Sequence, residues 1–261
     1  MVTISELMDF FEGIAPKTLA EDYDNVGLLV EAVTEEIETL VLALDADEQT
    51  VEDAAKLGAQ LILTHHPVMF RPVNRLTEAE GGQRTLRRLL QKGIGLFAMH
   101  TNYDSAENGL CDAFLDAFGE FSERTSFSGT ADGIGRIGKL KTPCTMATLL
   151  EKGRQAFSPL HPIRYVGDDK ARVEIVAVCN GGGSDLLYDA HELGAQVYIS
   201  GDFKHHHARF AYENKINLIE IDHYDAEIGF CRQLKEKLET VFAGRLKVQV
   251  ALHENSPWRS F

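Results

Sequence analysis

The sequence predicts an α/β protein made of two related domains with mostly parallel sheets. Three observations lead to this prediction: apolar strands alternate with amphipathic helices along most of the chain, glycines follow several of the helices, and one strand–helix–strand pattern recurs in the second half. The chain has 261 residues, 44% hydrophobic and 25% charged, which is typical of a globular protein with a sizeable core.

Capping and periodicity define the first elements of the chain. Residues 3–12 predict a helix, because Thr3 and Glu6 have the spacing of a capping box and the apolar residues recur at helical intervals. Pro16 ends this helix. A turn then leads into a short strand at residues 26–30.

A regular alternation of strands and helices follows. Strands are predicted at residues 40–44, 61–64 and 94–99, and helices at residues 48–57, 83–92 and 107–118. Gly58, Gly93 and Gly119 directly follow the three helices, where the left-handed backbone of a helix end favours glycine. Alternation of this kind predicts a parallel sheet that is covered on both faces.

A polar stretch at residues 122–133 is the predicted domain boundary. The first domain then covers residues 1–125 and the second residues 126–230, and a return of the segment from about 230 to 261 to the first domain stays open. The alternation continues in the second half. Its predicted strands lie near residues 134–139, 163–166, 173–178, 196–200, 216–221 and 246–252, and its helices near residues 145–157, 184–193, 204–213 and 225–241.

The two halves of the chain are related in sequence. Residues 51–67 align without gaps to residues 187–203 at an offset of 136, with six identities in seventeen positions. Helix–glycine–strand junctions can converge on similar sequences, but convergence does not account for an Asp-Ala pair at the same offset as Leu-Gly-Ala-Gln. We therefore predict an internal duplication, in which residues 40–67 and 176–203 form the same strand–helix–strand unit.

The composition disfavours two classes of partner. The formal net charge is −14, from 26 Lys+Arg and 40 Asp+Glu, so an electrostatic grip on nucleic acid or on an anionic membrane is disfavoured. The N-terminal segment lacks the basic region of a signal peptide, and no apolar stretch reaches about 18 residues. The four cysteines have no CxxC spacing and predict buried free thiols in a reducing compartment. We expect a cytoplasmic protein.

Polar clusters follow the predicted strands at the points where they end. They are His65-His66, the segment from His100 to Asp104, Asp222-His223, and a fourth cluster at residues 201–207. In open α/β sheets, ligands bind outside the carboxyl ends of the strands, so these separate segments can converge on one cleft.

Five residues in these clusters have the chemistry and spacing of metal ligands. Consecutive side chains point apart in extended backbone, so His65 and His66 suit two different ions better than one. His223 and Glu227 share a helix face at i and i+4, and Asp104 can bridge two ions with its two oxygens. Nitrogen and oxygen ligands without thiolate suit Zn, Mn, Fe, Co or Ni. Each motif alone is common at protein surfaces, but their position at successive strand ends favours a metal site.

The motifs DNVGLLV, LTHHPVMF, HTNYDSAENGL, VAVCNGGGS, ISGDFKHHHA and DHYDAE resemble those of the NGG-interacting-factor-like family, which includes YbgI-like proteins often called GTP cyclohydrolase 1 type 2 homologues. The resemblance runs from about residue 5 to residue 252. It implies two related α/β domains, a dinuclear metal centre in the cleft between them, and a toroidal homohexamer. The metal ligands of the family fall here on His65, His66, Asp104, His223 and Glu227.

Other residues near these motifs allow two interpretations each. His100 either orients a ligand from outside the metal shell or is a strand-end histidine bonded to backbone. His205 and His206 act as general acid or base, or are solvated residues at a helix start. The glycine-rich segment at residues 180–184 is a tight turn rather than an anion cradle, because it lacks the lysine of a phosphate-binding loop.

Two classes of function fit these features. The first is a metal-dependent hydrolase of a nucleotide-like or phosphorylated small molecule, with two divalent ions per subunit. The second is a non-enzymatic metal-binding hexameric ring that acts as a metal buffer, an insertase or an adaptor. A ring that threads nucleic acid is disfavoured by the net charge.

Overall fold

The chain divides into two compact units in the computed structural model, which describes residues 1–157, 162–254 and 256–259. Unit 1 comprises Met1–Tyr103 and Ile228–Asn255, and unit 2 comprises Asp104–Glu227 and Ser256–Phe261. Each unit is a sheet with helices on its faces. None of the helices in the described ranges combines the length and apolar character that a membrane span requires.

The strands and helices alternate along the described chain. The strands are β1 (Val2–Thr3), β2 (Gly27–Val30), β3 (Glu36–Ile37), β4 (Thr39–Ala43), β5 (Leu61–Thr64), β6 (Gly95–Ala98), β7 (Phe121–Thr125), β8 (Arg136–Thr145), β9 (Arg164–Val166), β10 (Arg172–Val178), β11 (Val197–Ser200), β12 (Asn217–Glu220) and β13 (Lys247–Val250). The helices are α1 (Ile4–Ile14), α2 (Glu48–Lys56), α3 (Gly81–Lys92), α4 (Thr101–Ser105), α5 (Leu110–Asp116), α6 (Met146–Phe157), α7 (Leu187–Glu192), α8 (His205–Asn214), α9 (His223–Glu227) and α10 (Gly229–Val241).

The sheet of unit 1 has the strand order β13-β4-β5-β6-β2. All neighbouring strands are parallel except β2, which pairs antiparallel with β6. One face of the sheet packs on α2 and α3 through residues that include Val41, Ile62 and Leu96. On the other face, the ring of Phe97 lies 4.8 Å from the ring of Phe11 in α1. The predicted parallel sheet with two covered faces is therefore present.

The C-terminal segment returns to unit 1. Strand β13 adds to the edge of the sheet beside β4. Beyond it, the Glu254 carboxylate accepts a hydrogen bond from the Leu44 backbone, and the His253 backbone N–H donates to the buried Asp53 carboxylate at 2.9 Å. The sequence left open whether the segment from about residue 230 to residue 261 returns to the first domain, and residues 228–254 do belong to unit 1. The end of that segment includes positions outside the described residues.

The sheet of unit 2 has the order β7-β8-β10-β11-β12-β9. Only β10, β11 and β12 are parallel, and the flanking strands are antiparallel. The boundary between the units lies at Tyr103–Asp104, whereas the sequence suggested residue 125. The reason is that the polar segment at Phe121–Thr125 forms β7 and pairs with β8, so it belongs to the second sheet.

One predicted helix is shorter in the structure, and another is divided into two. The segment near residues 107–118 contains only α5, because Asn108 has a left-handed φ of 58° and Gly109 is the residue that precedes the helix. A short helix that the sequence did not predict, α4, lies before it. The segment near residues 225–241 consists of α9, which begins earlier at His223, and α10.

The predicted duplication is supported by the strand register. Leu40 pairs with Leu61 between β4 and β5, and Val176 pairs with Val197 between β10 and β11, so the register is the same at the offset of 136.

The side-chain hydrogen bonds of two glutamines also repeat at this offset. Gln60 Oε1 accepts from the backbone N–H groups of residues 38 and 39, and Gln196 Oε1 accepts from those of residues 174 and 175. Convergence at a glycine turn does not require these bonds, so they favour a shared origin.

A buried ion pair organises the start of β8 in unit 2. The Arg136 side chain is 1% exposed, and its guanidinium donates to both oxygens of Asp112 in α5 at 2.8 and 3.2 Å. It also donates to the carbonyl oxygens of Ser105 and Ala106. This one side chain therefore ties β8 to the segment that links α4 to α5.

We predict that Arg136→Met lowers the free energy of unfolding by about 3–5 kcal/mol, because the buried Asp112 carboxylate loses its hydrogen-bonded cation and keeps only Arg124, at 3.9 Å. Chemical denaturation measures this change. The matched control is Arg154→Met, since Arg154 pairs with Glu151 at the surface with a side chain 64% exposed. The control is expected to change stability by less than about 1 kcal/mol. Equal effects of the two substitutions would contradict the role given to Arg136.

A second prediction concerns acid stability. Burial raises the pKa of the Asp53 carboxyl, but hydrogen bonds from His253 and Gln49 outweigh burial and hold this pKa below its ordinary value. Ionised Asp53 therefore stabilises the fold above the ordinary aspartate pKa, and this stabilisation is lost as the pH falls through the lower folded pKa.

We expect Asp53→Asn to lower the free energy of unfolding by about 1–3 kcal/mol at neutral pH. The difference from the native chain should narrow below about pH 4. Denaturation curves at several pH values test this. Asp189→Asn is the control, because Asp189 occupies the equivalent position of the duplication and is exposed. A difference that stays constant into acid would refute the prediction.

Candidate metal centre

Unit 1 brings three histidines together at the carboxyl ends of its strands. His65 and His66 follow β5, and His100 follows β6, the next strand of the sheet. One ring nitrogen from each histidine can be chosen so that all three lie within 4.8 Å of one another. We call this set the histidine cluster. The parallel strands carry its members to one edge of the sheet, as the sequence predicted.

Each ring of the histidine cluster is held at Nδ1 by an oxygen acceptor. His65 Nδ1 donates to the Met99 carbonyl oxygen at 2.8 Å, and His66 Nδ1 donates to Asp45 Oδ1 at 2.9 Å. Carbonyl and carboxylate oxygens only accept hydrogen bonds, so Nδ1 carries the proton in both rings and the lone pair is on Nε2. This is the arrangement in which protein histidines bind metal ions.

Asp24 holds the third histidine of the cluster. His100 Nδ1 lies 2.9 Å from both oxygens of the Asp24 carboxylate, which also accepts from the backbone N–H of Thr101 and Asn25. Burial raises the pKa of Asp24, but the hydrogen bonds from His100 and Thr101 hold it well below its ordinary value. Asp24 therefore stays ionised and fixes the His100 ring in one orientation.

Unit 2 presents a second group of ligand types, with two carboxylates around one amide. Asp104 in α4 and Glu227 in α9 are both buried. The Asn180 side-chain amide donates to Asp104 Oδ1 at 2.8 Å and to Glu227 Oε1 at 3.3 Å. Asp104 and Glu227 are also the residues at which unit 2 begins and its main segment ends.

His223 lies between two carboxylates of unit 2. Its Nδ1 donates to Asp202 Oδ2 at 2.8 Å, and its Nε2 lies 3.0 Å from Glu227 Oε2. Burial lowers the pKa of His223, but the carboxylates of Asp202 and Glu227 outweigh burial and raise it to about 11. Asp202 reaches this position from a left-handed backbone, with a φ of 58°.

The glycine-rich turn after β10 makes room for Glu227. Gly181 has a φ of +62°, and a Cβ atom at this position would lie 1.8 Å from Glu227 Oε1. No other residue type fits there without displacing the carboxylate. The segment is therefore a tight turn, as the sequence indicated, and it also makes space for the Glu227 carboxylate.

The donor sets of both units fit a divalent metal ion. The three imidazoles of the histidine cluster in unit 1, and the imidazole of His223 with the carboxylate of Glu227 in unit 2, are ligand types that suit Zn, Mn, Fe, Co or Ni. The 3.0 Å separation of His223 Nε2 and Glu227 Oε2 is about the distance between neighbouring ligand atoms of one ion, since the bonds to such ions are about 2.0–2.2 Å long.

Comparison with known proteins gives these sites a family context. A family model described as Duf34/NIF3 (NGG1p interacting factor 3) matches residues 2–257. The chain belongs to the Duf34/NIF3 family. The resemblance found in the sequence is therefore confirmed.

Relatives of known sequence or structure support this Duf34/NIF3 membership. A Clostridium perfringens protein named "GTP cyclohydrolase 1 type 2 homolog" is 32% identical over 245 residues, which cover 91% of this chain and 93% of that protein. Reduced HcgD from Methanocaldococcus jannaschii has a TM-score of 0.82 at 28% identity and covers 96% of this chain and 98% of its own.

A Bacillus cereus protein related to NIF3 has a TM-score of 0.86 at 20% identity, covering 100% of this chain and 99% of its own. At this identity, the similarity supports the two-domain α/β fold alone. The predicted fold class of two similar α/β domains is confirmed by the structure together with these neighbours.

The three consecutive histidines of this Duf34/NIF3 chain, residues 205–207, differ in burial. His205 and His206 are exposed in the first turn of α8. His207 is buried, and its Nδ1 accepts a hydrogen bond from the Lys204 backbone at 3.1 Å. His207 therefore caps the helix, whereas the two exposed rings are available to solvent.

The residues that orient the histidines were not identified from the sequence. Asp45 and Asp202 each follow a strand by one or two positions and hold a histidine at Nδ1. Their position after a strand was a usable signal, because the same rule selected the histidines. Asp24 was noted only within the motif DNVGLLV, and Asn180 only within the motif VAVCNGGGS and its glycine-rich segment.

We predict that Asp24→Asn weakens metal binding by about 10–100-fold, because His100 loses the carboxylate that orients its ring. Competition with a coloured chelator, using Zn²⁺ or Co²⁺, measures the dissociation constant. Asp22→Asn is the matched control, since Asp22 is exposed two residues away. Equal affinities of the native chain and the Asp24 variant would show that His100 does not contribute to binding.

Proposed function

We propose that the chain binds two divalent metal ions and uses them to hydrolyse a nucleotide-like or phosphorylated small molecule. The proposed ligands are His65, His66, Asp104, His223 and Glu227. The observation that carries this proposal is that His65, His66 and His223 are each held at Nδ1 by an oxygen acceptor. In each of these rings Nε2 is then the nitrogen that is available to bind an ion.

The units contribute complementary chemistry to this proposal. Unit 1 offers three imidazoles, and unit 2 adds two buried carboxylates, which supply the negative charge that balances divalent cations. The chain enters unit 2 at Asp104 and leaves its main segment at Glu227, so two of the proposed ligands adjoin unit 1 in the covalent chain. His100 is proposed as a further ligand or as a residue that orients the cluster.

When bound, two divalent ions activate water near neutral pH and stabilise the negative charge that develops on a substrate. The residues of this chain hold the reacting groups in place. Asp104 would help to hold the ions with its buried carboxylate. His205 and His206 are proposed to transfer protons, because their imidazole rings are exposed in the first turn of α8.

A cavity in unit 2 supports an anionic substrate that contains a ring. It has a volume of about 320 Å³, and its lining includes the side chains of Arg164, Lys204 and His205 together with Glu220, whose carboxylate pairs with Arg164. The rings of Tyr165 and Phe203 line it as well. Phosphate groups pair with basic side chains, and bases stack on aromatic rings. The name "GTP cyclohydrolase 1 type 2 homolog" of the Clostridium perfringens relative is consistent with a nucleotide.

The test is turnover of a nucleotide and phosphoester panel by the purified chain, with metal content measured by elemental analysis. We expect two ions per chain. Asp104→Ala should lose at least half of the metal and lower turnover by about 100-fold or more, since removal of an orienting residue alone costs about 10–100-fold. Asp132→Asn is the control, because Asp132 is an exposed acid of the same unit.

The outcomes separate the two classes of function. Turnover that survives in the Asp104 variant would refute the hydrolase proposal. Two tightly bound ions without turnover across the panel would favour the non-enzymatic alternative, a metal buffer, insertase or adaptor. A hexamer stays a prediction for either class, and light scattering should then give about 174 kDa for six chains of 29.0 kDa.

A further inference from the structure

The side chain of Asn180 has an unusual set of partners. It is 3% exposed and lies just beyond β10, at the start of the glycine-rich turn. Its Nδ2 group donates to Asp104 and to Glu227, two residues proposed above as ligands. Its Oδ1 accepts a hydrogen bond from the Cys111 thiol at 2.8 Å. One neutral amide therefore joins two buried carboxylates to a buried thiol.

We propose that Asn180 is a positioning residue for the metal site, and that the Cys111 thiol fixes the orientation of its amide. This inference rests on the proposed metal-binding function and adds two residues that do not themselves bind the ions. The amide holds one oxygen of each carboxylate, Asp104 Oδ1 and Glu227 Oε1, so the other oxygens have fixed directions.

The chemistry of the amide suits this position. Asp104 and Glu227 are like-charged and buried, and two such groups repel each other unless a donor lies between them. A lysine or arginine donor would add a positive charge that competes with a metal cation. An asparagine NH₂ group supplies two donors without charge, so it joins the carboxylates and leaves their negative charge for the ions.

The thiol decides which way the amide faces. An asparagine that is rotated by half a turn would point its Oδ1 at the two carboxylates, where acceptor meets acceptor. Cys111 supplies the donor that Oδ1 needs on the opposite side. Because Oδ1 is engaged there, the amide does not act as a ligand itself, and its role is to hold the ligands.

Cys179 is a second thiol, next to the thiol of Cys111. The hydrogen bond with Cys111, together with burial and the charges of Asp104 and Glu227, holds the pKa of the Cys179 thiol well above its ordinary value. Cys179 therefore stays a neutral thiol beside Cys111. Cys111 is itself buried, and its S–H group donates to Asn180 Oδ1.

The experiment compares Co²⁺ binding by the full-length chain and its variants. Asn180→Ala should weaken binding by about 10–100-fold, as expected for loss of a residue that orients ligands. It should also change the Co²⁺ ligand-field absorption spectrum, because carboxylates that are no longer held alter the geometry around the ion. Asn217→Ala is the matched control, since the Asn217 amide lies in the same unit and donates to the Gln196 backbone carbonyl.

A pair of thiol variants keeps the test independent of the Asn180 substitution. Cys111→Ala removes the donor and should weaken Co²⁺ binding by about 2–10-fold, the equivalent of one hydrogen bond. Cys111→Ser keeps a donor and should restore binding to within about two-fold of the native chain. Thermal unfolding in the presence of a chelator reports whether each metal-free variant is folded.

Three results would overturn the inference. Native affinity and an unchanged spectrum in Asn180→Ala would remove Asn180 from the site while leaving the proposed metal function intact. Equal losses in the Ala and Ser variants of Cys111 would show that the thiol does not act as a donor. A native chain that binds no Co²⁺ would overturn the proposed function, and the inference with it.

Discussion

Oxygen acceptors at the Nδ1 atoms of four histidines determine what the strand ends of this protein can do. Met99, Asp45, Asp24 and Asp202 supply these acceptors for His65, His66, His100 and His223. An unheld imidazole samples several rotamers, and ordering it costs free energy when a ligand binds. Here the folded chain has already fixed the rings, so their Nε2 atoms are oriented before an ion arrives.

The fold makes this possible because three of the four acceptors, Asp45, Met99 and Asp202, lie within two residues of the end of a strand. Asp45 follows β4, which pairs with β5, and β5 leads directly into His65 and His66. In unit 2, Asp202 follows β11, and His223 follows β12 beside it. Neighbouring parallel strands thus deliver an acid from one loop and a histidine from the next. The buried cores below the loops hold these positions, and the loops need little structure of their own.

The sequence was sufficient to locate most strands and helices along the chain, but it did not predict contacts between distant residues. Capping, glycine stops and buried apolar runs located most elements within a few residues, and the strand-end rule located every histidine of the cluster. The polar segment at Phe121–Thr125 was misjudged as a boundary, because an edge strand with exposed residues has the composition of a loop.

The orienting residues could not be paired from the sequence. Asp24 and His100 are 76 positions apart, as are Asp104 and Asn180. Periodicity describes which side of an element a residue occupies, and it carries no information on which acceptor reaches which ring nitrogen. The position of a residue after a strand selects candidates, and only tertiary packing assigns their partners.

The two copies of the repeated strand–helix–strand unit carry different residues at equivalent positions. At the offset of 136, His65 and His66 correspond to Gly201 and Asp202, so a histidine in one copy stands where the other has an aspartate that orients a histidine. In a symmetric pair of identical chains, every such position would carry the same residue twice. Covalent fusion of the copies lifts that constraint, and each copy is then free to specialise while the shared backbone keeps the positions in register.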